Sequence, residues 1–292
     1  MDIVINPTKC TATSITASNK IAKWISSLMK IPLVDDKRTA SQNIGRKINR
    51  VYLVNGVFAF CDFRDQIKIL CDGAKEVVWI GNDYALKIPT YLKNNKNIKR
   101  IAQYSNYDNM SCHEIVDFNK LLHFDGRTRE YKKPGLFYYG AFRENRINVF
   151  KHWFSNAGFD LHVSTSAKNM DDFYKINNAI KFYQANQDIR NVINLFQSSI
   201  YLEDSIKNKK ITLTPANRFY EVIGSKTLLF FDINTKQTLE NAGYWDDDFS
   251  VANASEINEK LKDYDSLRTK QIKLFKNMDF KKELERDFLS VI

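Results

Sequence analysis

The chain has 292 residues, 43% hydrophobic and 27% charged, with a formal net charge of +10. That length suits two domains of ordinary size, and the balance of apolar and charged residues excludes a disordered chain. No apolar run approaches the roughly 20 residues of a membrane span, and the opening MDIVINPTKC lacks the basic segment and apolar core of a signal peptide, so the cytoplasm is the expected compartment. The charge points to a polyanion, nucleic acid or an anionic membrane surface, or simply to a basic exterior. The 20 Phe and 14 Tyr can fill cores, and Tyr also stacks on bases and sugars. Cys10, Cys61, Cys71 and Cys112 form no C-x-x-C pair, and the histidines do not join them at zinc-ligand spacing. Reduced, mostly buried thiols and no protein metal site are expected.

Strand and helix signals alternate along the chain, which predicts an α/β architecture. Asp2 to Ile5 reads as a short strand ending at Asn6. Thr11 to Ser18 is rich in Thr and Ser, and Ile21 to Met29 reads as a helix with Ile21, Trp24, Ile25 and Leu28 on one face. Val51 to Val54 is a second strand, ending at Asn55-Gly56. Phe63 to Cys71 fits a helix or a short connection. Glu76 to Ile80 is a third strand, stopping at Gly81-Asn82-Asp83. Continuous apolar strands of this kind fit a parallel sheet covered on both faces. Lys93 to Arg100, with Lys93, Lys96, Lys99 and Arg100, reads as an exposed loop or helix start, either a solvated face or a phosphate-contacting stretch.

Lys132-Lys133-Pro134-Gly135 punctuates the chain and suggests a domain boundary, giving domains 1–133 and 134–292. Leu136 to Tyr139 is the next strand, followed by a helix over Arg143 to Ala157 and a strand over Asp160 to Val163. Helical stretches over Asp171 to Ile180 and Asp188 to Phe196 precede a strand over Ser198 to Leu202. Phe219 to Ser225 looks helical, Thr227 to Phe231 is a strand, and Ala254 to Phe288 is charged and helix-friendly.

Three constellations lie where a strand gives way to a loop or helix, the edge at which open α/β sheets bind ligands. In Tyr139-Gly140-Ala141-Phe142-Arg143-Glu144-Asn145-Arg146, small residues allow close backbone approach, a helix N-terminus suits phosphate, and Arg143 and Arg146 add cationic forks. In Arg218-Phe219-Tyr220-Glu221, the two charges share a helix face. Arg218 can reach a diphosphate and Glu221 a ribose, or the two form a plain ion pair. Asp83 follows an apolar strand and reads either as a general base toward a hydroxyl or as a cap of the next segment.

Together these pieces resemble the T-even phage DNA β-glucosyltransferases. That family has a Tyr-Gly-Gly-Ser-Phe-Arg turn with a second arginine beyond it, and here Tyr139-Gly140-Ala141-Phe142-Arg143 is followed by Arg146. Its Ile-Thr-Leu and Arg-x-x-Glu are matched by Ile211-Thr212-Leu213 and Arg218 to Glu221. Its strand, Thr-Asp and Leu-Pro step resemble Asn82-Asp83 and Leu86 to Pro89, and Val54 to Phe60 resembles a strand-Val-Asn-Ser-Ser loop. Ala141 replaces a serine, Thr214, Pro215, Ala216 and Asn217 stand before the arginine, and Tyr84-Ala85-Leu86 replaces a stretch holding an arginine.

The resemblance implies a GT-B fold, two Rossmann-like domains facing a central cleft, with the last helix packing back on the N-terminal domain. It implies an inverting glycosyltransferase that moves a sugar, glucose in the family, from a nucleoside diphosphate sugar such as UDP-glucose to a hydroxymethylated pyrimidine in DNA. Gly140, Ala141, Arg143, Arg146, Tyr201, Arg218 and Glu221 would bind the donor, and Asp83 would be the base. Mg2+ or Mn2+, where used, would be held by the diphosphate. The implied partners are the nucleotide sugar and duplex DNA with modified bases, for a monomer in the host cytoplasm. A GT-B enzyme with another acceptor, or a non-catalytic nucleic-acid-binding protein of this fold, fits the same residues.

Overall fold

Period-two alternation along short apolar strands builds two all-parallel, six-stranded sheets, each covered on both faces by helices. A computed structural model describes residues 1–7, 15–54, 61–81, 90–92, 97–102, 114–126, 129, 131–184, 189–203 and 214–292. These residues form two compact units, Met1–Leu121 with Lys281–Ile292, and Leu122–Phe280. The second unit begins at Leu122, ahead of Lys132 to Gly135, where the sequence suggests a boundary; Lys133 to Gly135 open its first strand. No helix among the described residues is long and apolar enough to cross a membrane.

The first unit contains β1 (Asp2–Ile5), α1 (Ile15–Met29), β2 (Leu33–Val34), α2 (Lys37–Asn43), β3 (Arg50–Val54), α3 (Arg64–Asp72), β4 (Glu76–Gly81), β5 (Ile98–Ala102) and β6 (Glu114–Ile115). Its sheet runs β2-β1-β3-β4-β5-β6. Ile3, Ile5, Val51, Leu53, Val77 and Trp79 face one core with Ile67 and Leu70 of α3. Their neighbours Val4, Tyr52, Val54, Val78 and Ile80 face the other core with Ile21, Ala22 and Ile25 of α1. The chain's last helix, counted below as α11 (Phe280–Ser290), supplies Leu284 and Phe288 to that second core. Phe288 packs edge-on against Trp24 at 5.2 Å, while Lys120 pairs with Glu283 and Asp287 at 3.1 and 3.2 Å.

The basic stretch differs from its sequence reading. Ile98 to Ala102 is a strand hydrogen-bonded between β4 and β6, not a loop or helix start. Pairing with apolar β4 overrides the low strand propensity of a Lys-Arg pair. Because side chains alternate, Lys99 lies on the face of Ile101 and Arg100 on the face of Ile98.

The second unit contains β7 (Lys133–Tyr139), α4 (Ile147–Phe154), β8 (Leu161–Thr165), α5 (Ala167–Ile176), β9 (Lys181–Gln184), α6 (Ile189–Ile193), β10 (Phe196–Tyr201), α7 (Asn217–Gly224), β11 (Leu228–Asp232), α8 (Lys236–Asn241), β12 (Ser250–Val251), α9 (Ala254–Leu261) and α10 (Tyr264–Lys276). Its strand order is β12-β11-β10-β7-β8-β9. The helix expected from Arg143 begins instead as a 3-10 turn at Glu144–Arg146, and α4 starts at Ile147. Ile180 and Phe196, expected in helices, lie outside them; Phe196 opens β10, where it stacks on Phe137 of β7 at 4.6 Å. Aromatic residues fill this core: Phe150, Phe154, Phe173, Phe219 and Phe231 are all fully buried.

Cys61 is half-buried and Cys71 buried, and burial pushes the Cys71 thiol pKa up to about 12. Cys10 and Cys112 lie outside the described residues.

Candidate functional site

In the second unit the chain runs outward from β7 through β8 to β9, then crosses back to β10 on the other side of β7. The carboxyl ends of β7 and β10 therefore flank the point where the strand order reverses. Open parallel sheets leave their ligand crevice at such a point.

Gly140 follows β7 with φ +148°, a backbone that favours glycine. A Cβ there would lie 2.6 Å from Arg218 Nη2 and 3.2 Å from the Tyr138 hydroxyl. The missing side chain is what lets the guanidinium lie against the turn. Arg218 reaches it from the first turn of α7. Its Nε donates to Tyr139 O at 3.0 Å, Nη1 to Leu202 O at 3.3 Å, and Nη2 to the Tyr138 hydroxyl at 3.3 Å. Leu202 is the residue after β10, so one guanidinium ties the two strand ends across the reversal. Its Cζ lies 4.4 Å from the Tyr138 ring centre and 5.1 Å from that of Tyr139, within cation–π range. A guanidinium carries five N–H donors, so these bonds leave one on each terminal nitrogen for an anion.

Glu221 sits one turn further along α7. Its Oε2 accepts the Tyr139 hydroxyl at 2.6 Å. Burial first, and then the Glu221 charge, pushes the Tyr139 phenol well above its ordinary value, so it remains a donor. This bond orients the Glu221 carboxylate toward the end of β7. Arg218 and Glu221 are thus each engaged with the end of β7. The sequence reading missed the parts played by Tyr138, Tyr139 and the Leu202 carbonyl. The paired tyrosines at a strand end were the available signal.

The other expected donor residues fall differently. Tyr201 is fully buried. Its hydroxyl accepts the Ala216 N–H at 2.7 Å and donates to Glu203, whose other oxygen accepts from Thr238 at 3.1 Å. It anchors the start of α7 to the end of β10. Ala141 and Arg143 are exposed, and Arg146 is half-buried in the 3-10 turn, its N–H bonded to Arg143 O at 2.9 Å. In the first unit, β3 and β4 end at Val54 and Gly81, with Val54 beside Ile80. Asp83, the Asn55 to Phe60 loop, Lys93 and Lys96 lie outside the described residues. Among the described residues, no group of three His, Cys, Asp or Glu could hold a metal ion.

Two all-parallel six-stranded sheets with helices, one sheet in each unit, are the architecture of the GT-B fold class. The chain is similar along its whole length to phage T4 β-glucosyltransferase in complex with UDP and Mn2+, with a TM-score of 0.69, 16% identity, and coverage of 100% of this chain and 99% of that one. It is also similar to Anabaena HepE in complex with UDP-glucose (TM-score 0.56, 8% identity, 99% and 98% covered). A glycosyltransferase involved in avilamycin A biosynthesis gives a TM-score of 0.53 at 12% identity, with 98% and 96% covered. The GT-B fold implied by the sequence motifs is borne out. No family model and no curated protein sequence matches the chain.

Proposed function

We propose that the protein is an inverting glycosyltransferase that moves a sugar, glucose in the first instance, from a nucleoside diphosphate sugar to a hydroxymethylated pyrimidine in DNA. The observation that carries the reading is the Arg218 guanidinium spanning the ends of β7 and β10 against Gly140. It leaves N–H donors for a diphosphate at the crevice, with Glu221 held beside it for the ribose hydroxyls. The phage T4 neighbour binds UDP and Mn2+, which supports a uridine nucleotide donor.

Asp83 takes the proton of the acceptor hydroxyl as that oxygen attacks the anomeric carbon, and the bond to the diphosphate breaks on the opposite face. Arg218, with Arg143 and Arg146, stabilises the charge that gathers on the departing diphosphate. Tyr201 acts as a positioning residue through α7. A divalent ion would be held by the diphosphate and would supply further neutralisation of its charge; the described side chains offer no group of three His, Cys, Asp or Glu for one. A hydroxymethyl group inside duplex DNA must be flipped out to react. The net charge of +10, with Lys93 and Lys96, supports backbone contacts; Lys99 and Arg100, on opposite faces of β5, do not line one surface together.

The test is mass spectrometry of nucleosides from hydroxymethylated DNA incubated with the protein and a panel of nucleotide sugars. The expected product is the pyrimidine carrying one added sugar. Donor turnover without base modification would move the acceptor elsewhere, and failure to bind any nucleotide sugar would leave a non-catalytic protein.

A further inference from the structure

A cavity of about 530 Å3 lies within the second unit, at the end of α7 remote from Arg218. Arg218 occupies the first turn of that helix, whereas Ile223 and Gly224 at its last turn line the cavity. At about 1.5 Å per residue, the helix separates the two places by roughly 10 Å. The volume falls in the range of small-molecule pockets, roughly 300–1,000 Å3.

One wall is apolar, formed by Phe124, Ile272, Phe275 and Met278. Among the described residues the charged lining is unbalanced: Lys226, Arg268 and Lys276 meet one carboxylate, that of Asp125, which Lys226 takes at 2.8 Å. Arg268 donates Nε to Lys226 O at 3.2 Å, while its Nη2 is buried and has no hydrogen-bond partner among the described residues. A buried guanidinium N–H without an acceptor is costly. The Lys132 ammonium is buried, 3.0 Å from Lys226 O and from Thr227 Oγ1. Capping the carbonyls at the end of α7 explains Lys132 and Arg268 Nε. It does not explain Lys276, which lines the cavity without capping that helix end.

We propose that this cavity binds a small organic anion with an apolar body, its charged group held by Arg268 and Lys276 and its body against Phe124, Ile272 and Met278. Burial, and next the charges of Arg268 and Arg129, lower the Lys132 ammonium to about 7.

Two fluorescent probes of matched shape test this on the full chain: 8-anilino-1-naphthalenesulfonate, an apolar body with one anionic group, and N-phenyl-1-naphthylamine, the body alone. The expected result is one saturable sulfonate site per chain, bound about tenfold or more tighter than the neutral probe. Lys276→Glu and Arg268→Gln should each weaken the sulfonate about tenfold and leave the neutral probe unchanged. Met278→Trp, which fills the cavity from its rim, should abolish both, and Arg218→Ala should alter neither. Circular dichroism verifies folding, and the rim variants at Lys276 and Met278 keep the test open should Arg268→Gln misfold. Equal affinity for the two probes, or sulfonate binding that survives Lys276→Glu and Met278→Trp, overturns the proposal.

Discussion

The Tyr139 hydroxyl donates to Glu221 Oε2 across 2.6 Å, joining the last residue of β7 to a carboxylate on α7. This bond fixes the orientation of the Glu221 carboxylate. Glu221→Ala and Arg218→Ala should each weaken nucleotide-sugar binding by on the order of 1.5–3 kcal/mol, the value of a charge-assisted hydrogen bond. Tyr139→Phe should weaken it severalfold while preserving the fold. Titration calorimetry checks all three, and unchanged affinity in the alanine variants would remove the donor site from this crevice.

Gly140→Ala examines the turn itself. The new methyl meets Arg218 Nη2, and φ +148° strains any L side chain. Arg218 cannot simply withdraw, since three bonds hold its guanidinium. The variant should lose about 1–3 kcal/mol of stability and most of its donor affinity. Thermal melts and calorimetry on one preparation separate the two losses. A stable Gly140→Ala protein with full affinity would show that the turn does not approach the ligand.

Asp83→Asn should retain donor binding and lose turnover by about 10²–10⁴-fold, because an amide cannot accept the hydroxyl proton. The loss should fall on kcat more than on KM. Were Asp83 only a helix cap, the variant would lose about 1 kcal/mol of stability and little activity. Near-normal transfer by Asp83→Asn would refute its role as base and leave the fold assignment intact.

DNA affinity should fall steeply with salt, with a log–log slope near −0.9 for each neutralised phosphate on duplex DNA. Lys93→Ala and Lys96→Ala should each reduce that slope by about one contact and weaken all sequences equally. Filter binding across a salt series reads this directly. A flat dependence would point to a different acceptor.

Lys132 predicts the pH dependence of stability. Its pKa is lowered from 10.5 to about 7, by burial first and then by Arg268 and Arg129. Between those values the unfolded chain binds more protons than the folded one, so stability rises with pH through that window and is least below pH 7. Melting temperature should climb by several degrees from pH 7 to pH 9; about 1 kcal/mol corresponds to roughly 2–4 °C in chains of 150–250 residues. Lys132→Met, which cannot titrate, should flatten the rise. An identical pH profile in that variant would assign the effect to other groups.

Much of the second unit is legible in the sequence because its strands are continuous apolar runs. Leu136 to Tyr139 and Thr227 to Phe231 closely anticipate β7 and β11, and a parallel sheet buried on both faces requires that composition. Short edge strands such as β2, β6 and β12 escape such a reading; two residues carry no period, and pairing with a neighbour alone makes them strands.

The sequence by itself determined the alternation of strands and helices, the small-residue turn after β7, and the placement of Arg218 and Glu221 on one helix face. These follow from local periodicity and residue chemistry. Only the tertiary structure decided what the two charges do. Whether Arg218 pairs with Glu221 or reaches across to Tyr139 O and Leu202 O depends on β7 and β10 lying side by side, although β8, β9 and the helices α4 to α6 come between them in the chain. The same juxtaposition buries Tyr201 between the end of β10 and the start of α7, and the pairing of β5 with β4 divided Lys99 from Arg100. Hydrogen bonds between strands distant in sequence leave no local trace, and they set which atoms remain free to meet a ligand.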